Sequence, residues 1–221
     1  AIELLFAVFN VSCIFFIGLF YMSNLTSNHK NKRILQIIPN MEIGGAERTV
    51  LEITSFLKKN TNHTSIVLTC GGKLIKDLKR LKIDIIQFPI DKKNPFLILR
   101  NIFELKKIFE KEKIDLIHVR SRGPAWSAIY AAKYLNIPIL TTWHGHVNQT
   151  SWFKKKYNSI MHRGDALIAN SKYTAENISK IYGIDKSKID IIPRGVDINN
   201  FKESNFTSRE VKKIKEDWKI F

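Results

Sequence analysis

Cysteine is scarce in this chain, which holds only two, Cys13 and Cys70, in 221 residues. Cys13 lies in an apolar segment, and Cys70 lies at the end of an apolar run. A disulfide framework or a cysteine-ligated metal site needs more cysteines at short, regular spacings. The composition therefore excludes a small disulfide-rich secreted protein and indicates a reducing, cytosolic compartment.

Acidic residues are also few, since 20 Asp and Glu accompany 36 Lys and Arg and leave a formal net charge of +16. The first 29 residues hold no Lys or Arg and a single Glu, so the remainder carries +17. This excess predicts anionic partners, although a Lys-rich composition from an A/T-rich genome also places lysines on solvated helix faces. No nucleic-acid-binding motif occurs. We therefore expect no nucleic acid partner and favour an anionic membrane surface.

Long apolar runs are confined to residues 1–21, which carry one charge, Glu3. A membrane span needs about 20 apolar residues, so this segment is barely long enough to be an anchor. A secretory signal would need a positive start and a small-residue cleavage site, and neither is evident. We favour a third alternative, in which Met22 is the true start and residues 1–21 lie upstream of it. Residues 22–32 are expected to be a polar linker.

The rest of the chain alternates strand-like and helix-like segments, the pattern of an α/β fold with a parallel sheet covered by helices. Strands are predicted near Ile34–Ile38, Ser65–Thr69, Ile83–Phe88, Asp115–Val119, Ile137–Thr142, Ala166–Ala169 and Lys188–Ile192. Helices are predicted near Ala46–Lys59, Lys73–Leu81, Phe96–Glu112, Pro124–Leu135, Phe153–Met161 and Lys172–Tyr182. One helical stripe expected in the core consists of Ile98, Ile102, Leu105 and Phe109.

A glycine turn at Gly44 and Gly45 joins the first predicted strand to a helix. Adjacent glycines let the backbone pass close to a ligand, and the free N–H groups of a helix N-terminus favour an anion. The segment is typical of a phosphate-binding first βα turn, although paired glycines also serve as plain connectors. The turn lacks Gly-x-Gly-x-x-Gly, which disfavours a nicotinamide-dependent enzyme.

Two further strand ends carry side chains suited to ligand binding. Arg120 and Arg122 follow one predicted strand, and His144 follows the next. Carboxyl ends of parallel strands meet at one edge of an open α/β sheet, where ligands bind. Arginine suits phosphate or carboxylate oxygens, and histidine can hydrogen-bond a sugar hydroxyl or stabilise developing charge. The ordinary alternatives are an ion pair for each arginine and a structural hydrogen bond for the histidine.

The segment Trp152–Arg163 is the candidate for membrane contact. Its Phe153, Tyr157, Ile160 and Met161 share one helical face beside three consecutive lysines, and basic amphipathic helices bind anionic lipid head groups. The alternative, which we favour, is that this apolar face packs onto the sheet, as surface helices of such folds do. The sequence leaves both alternatives open.

Five motifs in order give the sequence a specific resemblance. They are Gly44-Gly45-Ala46-Glu47-Arg48, the Arg-Ser-Arg-Gly-Pro-Ala-Trp run that starts at Arg120, Thr142-Trp143-His144-Gly145, Ile168-Ala169-Asn170-Ser171 and Ile192-Pro193-Arg194-Gly195-Val196-Asp197. In this order they resemble family 4 glycosyltransferases of GT-B fold, from about Arg33 onward. Arg194 in place of the more usual Asn resembles a subgroup involved in bacterial surface polysaccharide or lipopolysaccharide assembly.

The resemblance implies the amino-terminal, acceptor-side half of a GT-B fold, a Rossmann-like parallel sheet with helices on both faces. It assigns residues 33–192 to this domain and residues 193–221 to an interdomain linker and the start of a carboxy-terminal domain. The interdomain hinge would include Arg194, Gly195 and Asp197. The chain ends before the nucleotide-binding domain of the family would begin, so we expect a fragment with little or no turnover by itself.

By the same resemblance, the expected reaction is a retaining transfer of a sugar from a nucleotide-sugar donor to a cell-surface glycan or lipid-linked acceptor. No metal ion or other cofactor is expected. Gly44 and Gly45 would approach the donor diphosphate, and His144 would contact the transferred sugar as the catalytic residue. Arg120 and Arg122 would bind the acceptor. The expected location is the cytoplasm, peripheral at the inner face of the cytoplasmic membrane.

A second class of function stays open, a non-catalytic half that binds an acceptor or a membrane and needs a separate donor-binding partner. A sugar-nucleotide epimerase of the same double-domain fold fits the motifs less well. An open reading frame that continues past Phe221 into a nucleotide-binding domain would favour the enzyme. A stop codon there would favour the binding module.

Overall fold

A computed structural model describes residues 31–92, 94–145, 151–195 and 206–219 of the chain. The apolar segment 1–21 and Asp197, which the resemblance assigns to a hinge, lie outside the described residues. None of the described helices is long and apolar enough to span a bilayer.

The central sheet contains seven parallel strands in the order β3-β2-β1-β4-β5-β6-β7. The strands are β1 (Arg33–Ile37), β2 (Thr64–Thr69), β3 (Asp84–Gln87), β4 (Leu116–Val119), β5 (Ile139–Trp143), β6 (Ala166–Ala169) and β7 (Ile189–Ile191). The direction of growth reverses between β1 and β4, since β2 and β3 extend the sheet on one side of β1 and the later strands on the other. Open α/β sheets bind ligands at the carboxyl ends of the strands at such a point.

Helices cover both faces of the sheet. They are α1 (Gly45–Asn60), α2 (Ile75–Arg80), α3 (Pro95–Lys111), α4 (Arg122–Tyr134), α5 (Trp152–Asn158), α6 (Lys172–Tyr182) and α7 (Ser208–Trp218), with 3₁₀ turns at Ser159–Arg163 and Lys186–Lys188. Helices α1 and α2 pack on one face, and α3, α4 and α6 pack on the other. This arrangement follows from right-handed crossovers between parallel strands.

Local capping chemistry explains where two of these helices begin and end. The side chain of Asn94 accepts the N–H of Phe96 at 2.9 Å, and proline at the first position of α3 needs no backbone donor. At the start of α6, the Ser171 hydroxyl accepts the N–H of Thr174 at 3.1 Å. Helix α6 ends at Gly183 in the left-handed conformation, with φ of 67°.

Alternation along the strands divides the core into two layers. Odd-numbered residues of the central strands face α3, α4 and α6, and they include Leu35, Ile37, Ile117, Val119, Ile139 and Trp143. Even-numbered residues face α1, where Leu57 packs against Ile34, Leu116, Leu140 and Ile168. Toward the carboxyl ends of β1, β4 and β5, the even-numbered positions become polar, and the candidate site forms there.

The predicted strands and helices are present in the predicted order, with boundaries shifted by a few residues. Helix α4 begins at Arg122, so Pro124 occupies its third position rather than its first. A proline is tolerated there because the N–H groups of the first turn have no acceptor within the helix. The α/β prediction with a parallel sheet is confirmed.

The prediction that Trp152–Arg163 presents one continuous apolar helical face is wrong. The α-helix ends at Asn158, and the 3₁₀ turn Ser159–Arg163 directs the rest of the segment toward the sheet. Ile160 and Met161 are buried in the core, whereas Phe153 is 78% exposed. The hydroxyl of Thr141 donates to the carbonyl of Met161 and fixes the turn against β5. Only the first part of the segment therefore remains available to a surface partner.

Candidate functional site

The carboxyl ends of β1, β4 and β5 bring five polar side chains to one side of the sheet. Gln36 lies beside His118 in the register between β1 and β4. Arg120 follows two residues later and therefore faces the same way. On the next strand, Thr142 and His144 share this face by the same alternation. All five lie on the α1 side of the sheet, close to the glycine turn.

Four of these residues form a buried hydrogen-bond network in which no side chain is more than 6% exposed. Nη2 of Arg120 donates to Oε1 of Gln36 and to Nδ1 of His118, each at 3.0 Å. Because a guanidinium only donates, Nδ1 of His118 accepts, and the proton of the neutral ring lies on Nε2. That Nε2–H donates to Oγ1 of Thr142 at 2.7 Å. Burial, then the charge of Arg120, holds the pKa of His118 well below its ordinary value.

His144, like His118, accepts a hydrogen bond from an arginine at Nδ1, but its Nε2–H has no acceptor among the described residues. Nη2 of Arg194 donates to Nδ1 of His144 at 2.9 Å, which again leaves the proton on Nε2. This Nε2 is enclosed and has no hydrogen-bond partner among the described residues. Burial, followed by the charges of Arg120 and Arg194, lowers the pKa of His144 to about 3. At neutral pH the imidazole is therefore uncharged and offers one N–H donor.

Gly45 allows Arg194 to reach this position. Gly45 is the first residue of α1, and any Cβ there would overlap Nη1 of Arg194. Gly44 precedes the helix in an extended conformation, and the flexible end of Glu47 occupies the corresponding space beside it. The two glycines therefore differ, because only the second admits a guanidinium to the N-terminus of α1.

Two clefts share Arg120, Thr142 and His144 in their linings. The smaller, about 50 Å³, lies between α1 and the edge of the sheet, and its lining also includes Glu52, Asn170, Arg194 and Gly195. The larger, about 350 Å³, opens toward the start of α4, and its lining also includes Ser121, Arg122, Trp143, Gly145 and Met161. His144 thus forms part of the wall of both clefts.

Arg122 lies at the larger cleft beside two aromatic side chains. Its guanidinium carbon is 5.3 Å from the ring centroid of Trp143, within the range of a cation–π contact. Trp143 is only 2% exposed, and its Nε1 has no acceptor among the described residues. Burial raises the pKa of Tyr157, and the nearby charge of Arg122 partly opposes this rise. The described lining of this cleft contains two arginines and no carboxylate.

The structure brings together most of the residues that the sequence singled out. Gly45, Arg120, Arg122 and His144 meet at the edge of the sheet. Arg194, predicted as part of a hinge, also belongs to this cluster because it donates to His144. Arg120, which was expected to bind the acceptor, has its side chain buried in a protein network and contributes to the lining of both clefts.

Three residues of the site were not predicted as site residues from the sequence, namely Gln36, His118 and Thr142, although Thr142 lies in one of the five motifs. Their signal is a polar residue at alternate positions of otherwise apolar strands in the centre of the sheet, which the pattern of a buried strand does not require. Within the described part of the chain, no group of three or more His, Cys, Asp or Glu is placed to hold a metal ion. The cationic groups, by contrast, are suited to an anionic ligand.

Comparisons with known proteins agree with this architecture. A search of curated proteins finds no match. Among solved structures, a glycosyltransferase from Rickettsia africae is 36% identical with a TM-score of 0.73, over 87% of this chain and 51% of the other. Anabaena Alr3699/HepE in complex with UDP and glucose is 18% identical with a TM-score of 0.64, over 85% of this chain and 50% of the other.

The lipopolysaccharide outer core galactosyltransferase WaaB shares the fold at 17% identity and a TM-score of 0.58, over 76% of this chain and 46% of the other. The chain therefore spans about half the length of the structures that it matches. Its sheet with helices on both faces is the Rossmann-like sheet of a GT-B fold. The model of Glycosyltransferase Family 4 matches residues 43–200, which include the glycine turn, His144 and Arg194. The chain belongs to glycosyltransferase family 4.

Proposed function

We propose that this chain is the acceptor-side half of a retaining glycosyltransferase, which moves a sugar from a nucleotide-sugar donor to a cell-surface glycan or lipid-linked acceptor. The observation that carries the proposal is the Nε2–H of His144, which has no hydrogen-bond partner among the described residues and belongs to a residue that lines both clefts. Membership of the family supports glycosyl transfer. The UDP and glucose in the Anabaena structure support a nucleotide-sugar donor.

In this proposal, His144 donates its Nε2–H to an oxygen of the transferred sugar. Positive charge develops on a sugar ring as its glycosidic bond breaks. A charged imidazolium at this place would oppose that development, and the low pKa of His144 keeps the ring neutral. Arg194 positions the proton of His144, because its hydrogen bond to Nδ1 selects the tautomer in which Nε2–H is the donor.

The glycine turn and Arg194 would receive the diphosphate of the donor. The N-terminus of α1 begins at Gly45 and carries partial positive charge, and the Arg194 guanidinium lies against it. Negative charge grows on the leaving nucleoside diphosphate during the reaction, so fixed positive groups at this point stabilise the transition state. We propose that these groups supply the charge without a metal ion.

The larger cleft would bind the acceptor through Arg122. Two arginines and no carboxylate line it in the described residues, which favours an acceptor with a phosphate or another anionic group. Arg120 is placed to act indirectly, since it orients His118 and through it Thr142. Arg122 is therefore the acceptor-binding residue in this proposal, and Arg120 is a positioning residue.

The domain assignment belongs to the same proposal. Residues 33–192 would form the acceptor domain, and residues 193–221 would lead to a second domain, outside these 221 residues, that supplies the nucleotide pocket. A hinge at Arg194 and Gly195 would couple the position of that domain to His144, because Arg194 bonds directly to the imidazole. We place the reaction in the cytoplasm, at the inner face of the cytoplasmic membrane.

The test begins with the gene. The open reading frame that contains this chain is expressed in full, and transfer and hydrolysis are measured across a panel of nucleotide sugars. We expect one donor to be used, and we expect His144→Ala to lower kcat by about a hundredfold, the usual loss for one transition-state hydrogen bond. His63→Ala is the matched control, because His63 accepts from the backbone of Lys32 at the opposite edge of the sheet.

Two results would contradict the proposal. A folded protein that is inert toward every donor would indicate the alternative, a binding module that needs a separate donor-binding subunit. Equal activity of the wild type and His144→Ala would retain the transferase and reject the role of the histidine.

A further inference from the structure

Three polar side chains in the lining of the smaller cleft are Thr142, His144 and Asn170. Thr142 belongs to β5, His144 directly follows this strand, and Asn170 directly follows β6. Trp143 and Ala169, which end these two strands, are paired in register, so His144 and Asn170 are neighbours at the carboxyl edge of the sheet. Each of the three side chains carries an acceptor and a donor. Its partners within the protein therefore decide which of the two it offers to a ligand.

A chain of hydrogen bonds at the start of α6 orients the amide of Asn170. The Ser171 hydroxyl accepts the N–H of Thr174 at 3.1 Å and donates its own hydrogen to Oγ1 of Thr174 at 3.0 Å. The Thr174 hydroxyl in turn donates to Oδ1 of Asn170 at 2.8 Å. The acceptor atom of the amide is thus occupied, whereas Nδ2 makes no hydrogen bond to another described residue. Asn170 therefore offers a ligand N–H donors.

The hydroxyl of Thr142 is oriented in the same sense by the buried network. Arg120 donates to Nδ1 of His118, and Nε2–H of His118 donates to Oγ1 of Thr142 at 2.7 Å. The Thr142 hydroxyl donates to no other described residue, so its own hydrogen is left for a ligand. Hydrogen bonds in a chain polarise one another, and this chain begins at a guanidinium, which makes the hydroxyl a stronger donor. Thr142, His144 and Asn170 thus each present a hydrogen.

The remaining lining of the smaller cleft combines apolar surface with one carboxylate. Ile53, Ile168 and Ile192 line the cleft and pack together, and such a surface suits a methyl group. Glu52 of α1 lies in the same lining, and its carboxylate has enough lone pairs to accept an amide N–H beside its other interactions. A carbonyl oxygen suits the donors, because it accepts two hydrogen bonds and has no hydrogen of its own to place.

The volume of the smaller cleft limits the size of the group that enters it. A cavity needs about 10 to 15 Å³ for each water-sized group. The cleft measures about 50 Å³, which is enough for a small substituent and too little for a whole sugar ring. An acetamido group combines a carbonyl oxygen, an N–H and a methyl group within this size. It therefore matches the donors, the carboxylate and the isoleucines of the lining.

We propose that the smaller cleft binds an acetamido group of the transferred sugar, and that Asn170 and Thr142 determine specificity for it. The carbonyl oxygen of this group accepts from Nδ2 of Asn170 and from the Thr142 hydroxyl, and its N–H donates to Glu52. His144 donates to a neighbouring oxygen of the same sugar. The inference rests on the proposed function, which places the transferred sugar at His144. The carboxylate of a uronic acid is a poorer occupant, because it would meet the charge of Glu52 and leave the isoleucines without an apolar contact.

The test compares donors that differ in this one group. The full-length enzyme is assayed with UDP-N-acetylglucosamine against UDP-glucose, and with UDP-N-acetylgalactosamine against UDP-galactose. UDP-glucuronic acid is the carboxylate arm of the test. We expect kcat/KM to favour the acetamido member of at least one pair by about a hundredfold, because a site built from fixed donors loses them all when the carbonyl oxygen is absent.

Variants assign the selectivity to the residues named. Asn170→Ala should lower kcat/KM for the acetamido donor by about tenfold and leave the value for the matching plain hexose within about twofold. Thr174→Val keeps Asn170 and the shape of its neighbour but removes the hydroxyl that orients the amide, so it should lower the same ratio by a smaller factor. Asn60→Ala is the matched control, because Nδ2 of Asn60 donates to the carbonyl of Phe56 at the far end of α1. Thermal unfolding verifies that each variant is folded.

Three results would overturn the inference and leave the transferase in place. The enzyme would use plain hexoses as well as their acetamido partners, it would prefer UDP-glucuronic acid, or Asn170→Ala would lower activity equally with both members of a pair. The last result would assign Asn170 to the structure of the α6 start alone. An enzyme that is inert toward every donor would overturn the proposed function and this inference with it, so the two failures are distinguishable.

Discussion

The guanidinium of Arg194 occupies the space that any side chain at position 45 would need. This contact links two motifs that lie far apart in the sequence, the glycine turn before α1 and the segment after β7. The same guanidinium donates to His144 at 2.9 Å, so the absence of a Cβ at Gly45 helps to set the tautomer of the histidine. The backbone of Gly45 has the ordinary conformation of a first helical residue, so glycine is not needed here for an unusual φ. It is needed because the Arg194 guanidinium comes close to its Cα.

The first prediction follows from this contact. Gly45→Ala should displace Arg194 from Nδ1 of His144 and so raise the pKa of that imidazole from its low value, although burial will keep it below its ordinary value of 6.5. NMR titration of the ring protons of His144 measures the change. Gly44→Ala is the control, because its Cβ would meet only the flexible end of Glu47. An unchanged titration in Gly45→Ala would show that the contact does not control the histidine.

The second prediction concerns pH and stability. The pKa of His144 is lowered to about 3 in the folded chain, and those of His118 and His162 are also lowered, so the unfolded chain binds protons that the folded chain does not bind. This stabilisation is complete above about pH 6.5 and declines as the pH falls, by about 1.4 kcal/mol per pH unit for each histidine.

The measurement is chemical denaturation between pH 7 and about pH 5, a window that lies above the ordinary pKa values of carboxylates. His144→Gln removes one of these three groups, so the free energy of unfolding of this variant should fall less steeply with pH, by about one proton. A pH dependence that is equally steep in this variant would contradict a low pKa for His144.

The third prediction separates the two neighbouring arginines. Arg120→Met should lower the free energy of unfolding by about 2 to 4 kcal/mol, because it leaves buried polar groups of Gln36 and His118 without their donor. Arg122→Met should change stability by less than about 0.5 kcal/mol and instead raise the KM for the acceptor by about tenfold. Arg80→Met, on an exposed arginine of α2, is the control for both. The assignment fails if Arg122→Met destabilises the chain as strongly as Arg120→Met.

The fourth prediction addresses the metal ion. If Arg194 and the N-terminus of α1 balance the charge of the diphosphate, a chelator should leave transfer by the full-length enzyme within about twofold of its value without chelator. Arg194→Met should then lower kcat by about a hundredfold. Loss of activity in chelator, with recovery on addition of Mg²⁺ or Mn²⁺, would contradict the charge balance that we propose.

The fold could be predicted from local patterns because the spacing of apolar residues in each segment fits either a strand or a helix. Ile66 and its neighbours in β2 form a short apolar run between polar turns, and the apolar residues from Ile98 to Phe109 recur at helical spacing, so periodicity predicts these elements. Parallel order follows from their alternation. The exposure of Phe96, Leu99 and Phe103 escaped prediction because α3 carries apolar residues on both sides, and periodicity does not show which side is covered.

Only the site residues that directly follow a predicted strand could be predicted from the sequence. Gly45, Arg120 and His144 stand at such ends, and their convergence follows from the parallel sheet. The bond from Arg120 to Gln36 joins residues 84 positions apart, and it depends on the register between β1 and β4, which no local pattern supplies. The tautomer of His144 likewise depends on the long-range approach of Arg194.

The most direct test of the central claim is a double-mutant cycle between enzyme and donor. The full-length wild type and His144→Ala are assayed with the natural donor and with a series of monodeoxy donors, and kcat/KM is compared. If Nε2–H of His144 binds an oxygen of the transferred sugar, one deoxy position should cost the wild type about a hundredfold and the variant almost nothing. Equal losses in the wild type and the variant at every position would show that His144 does not contact the sugar.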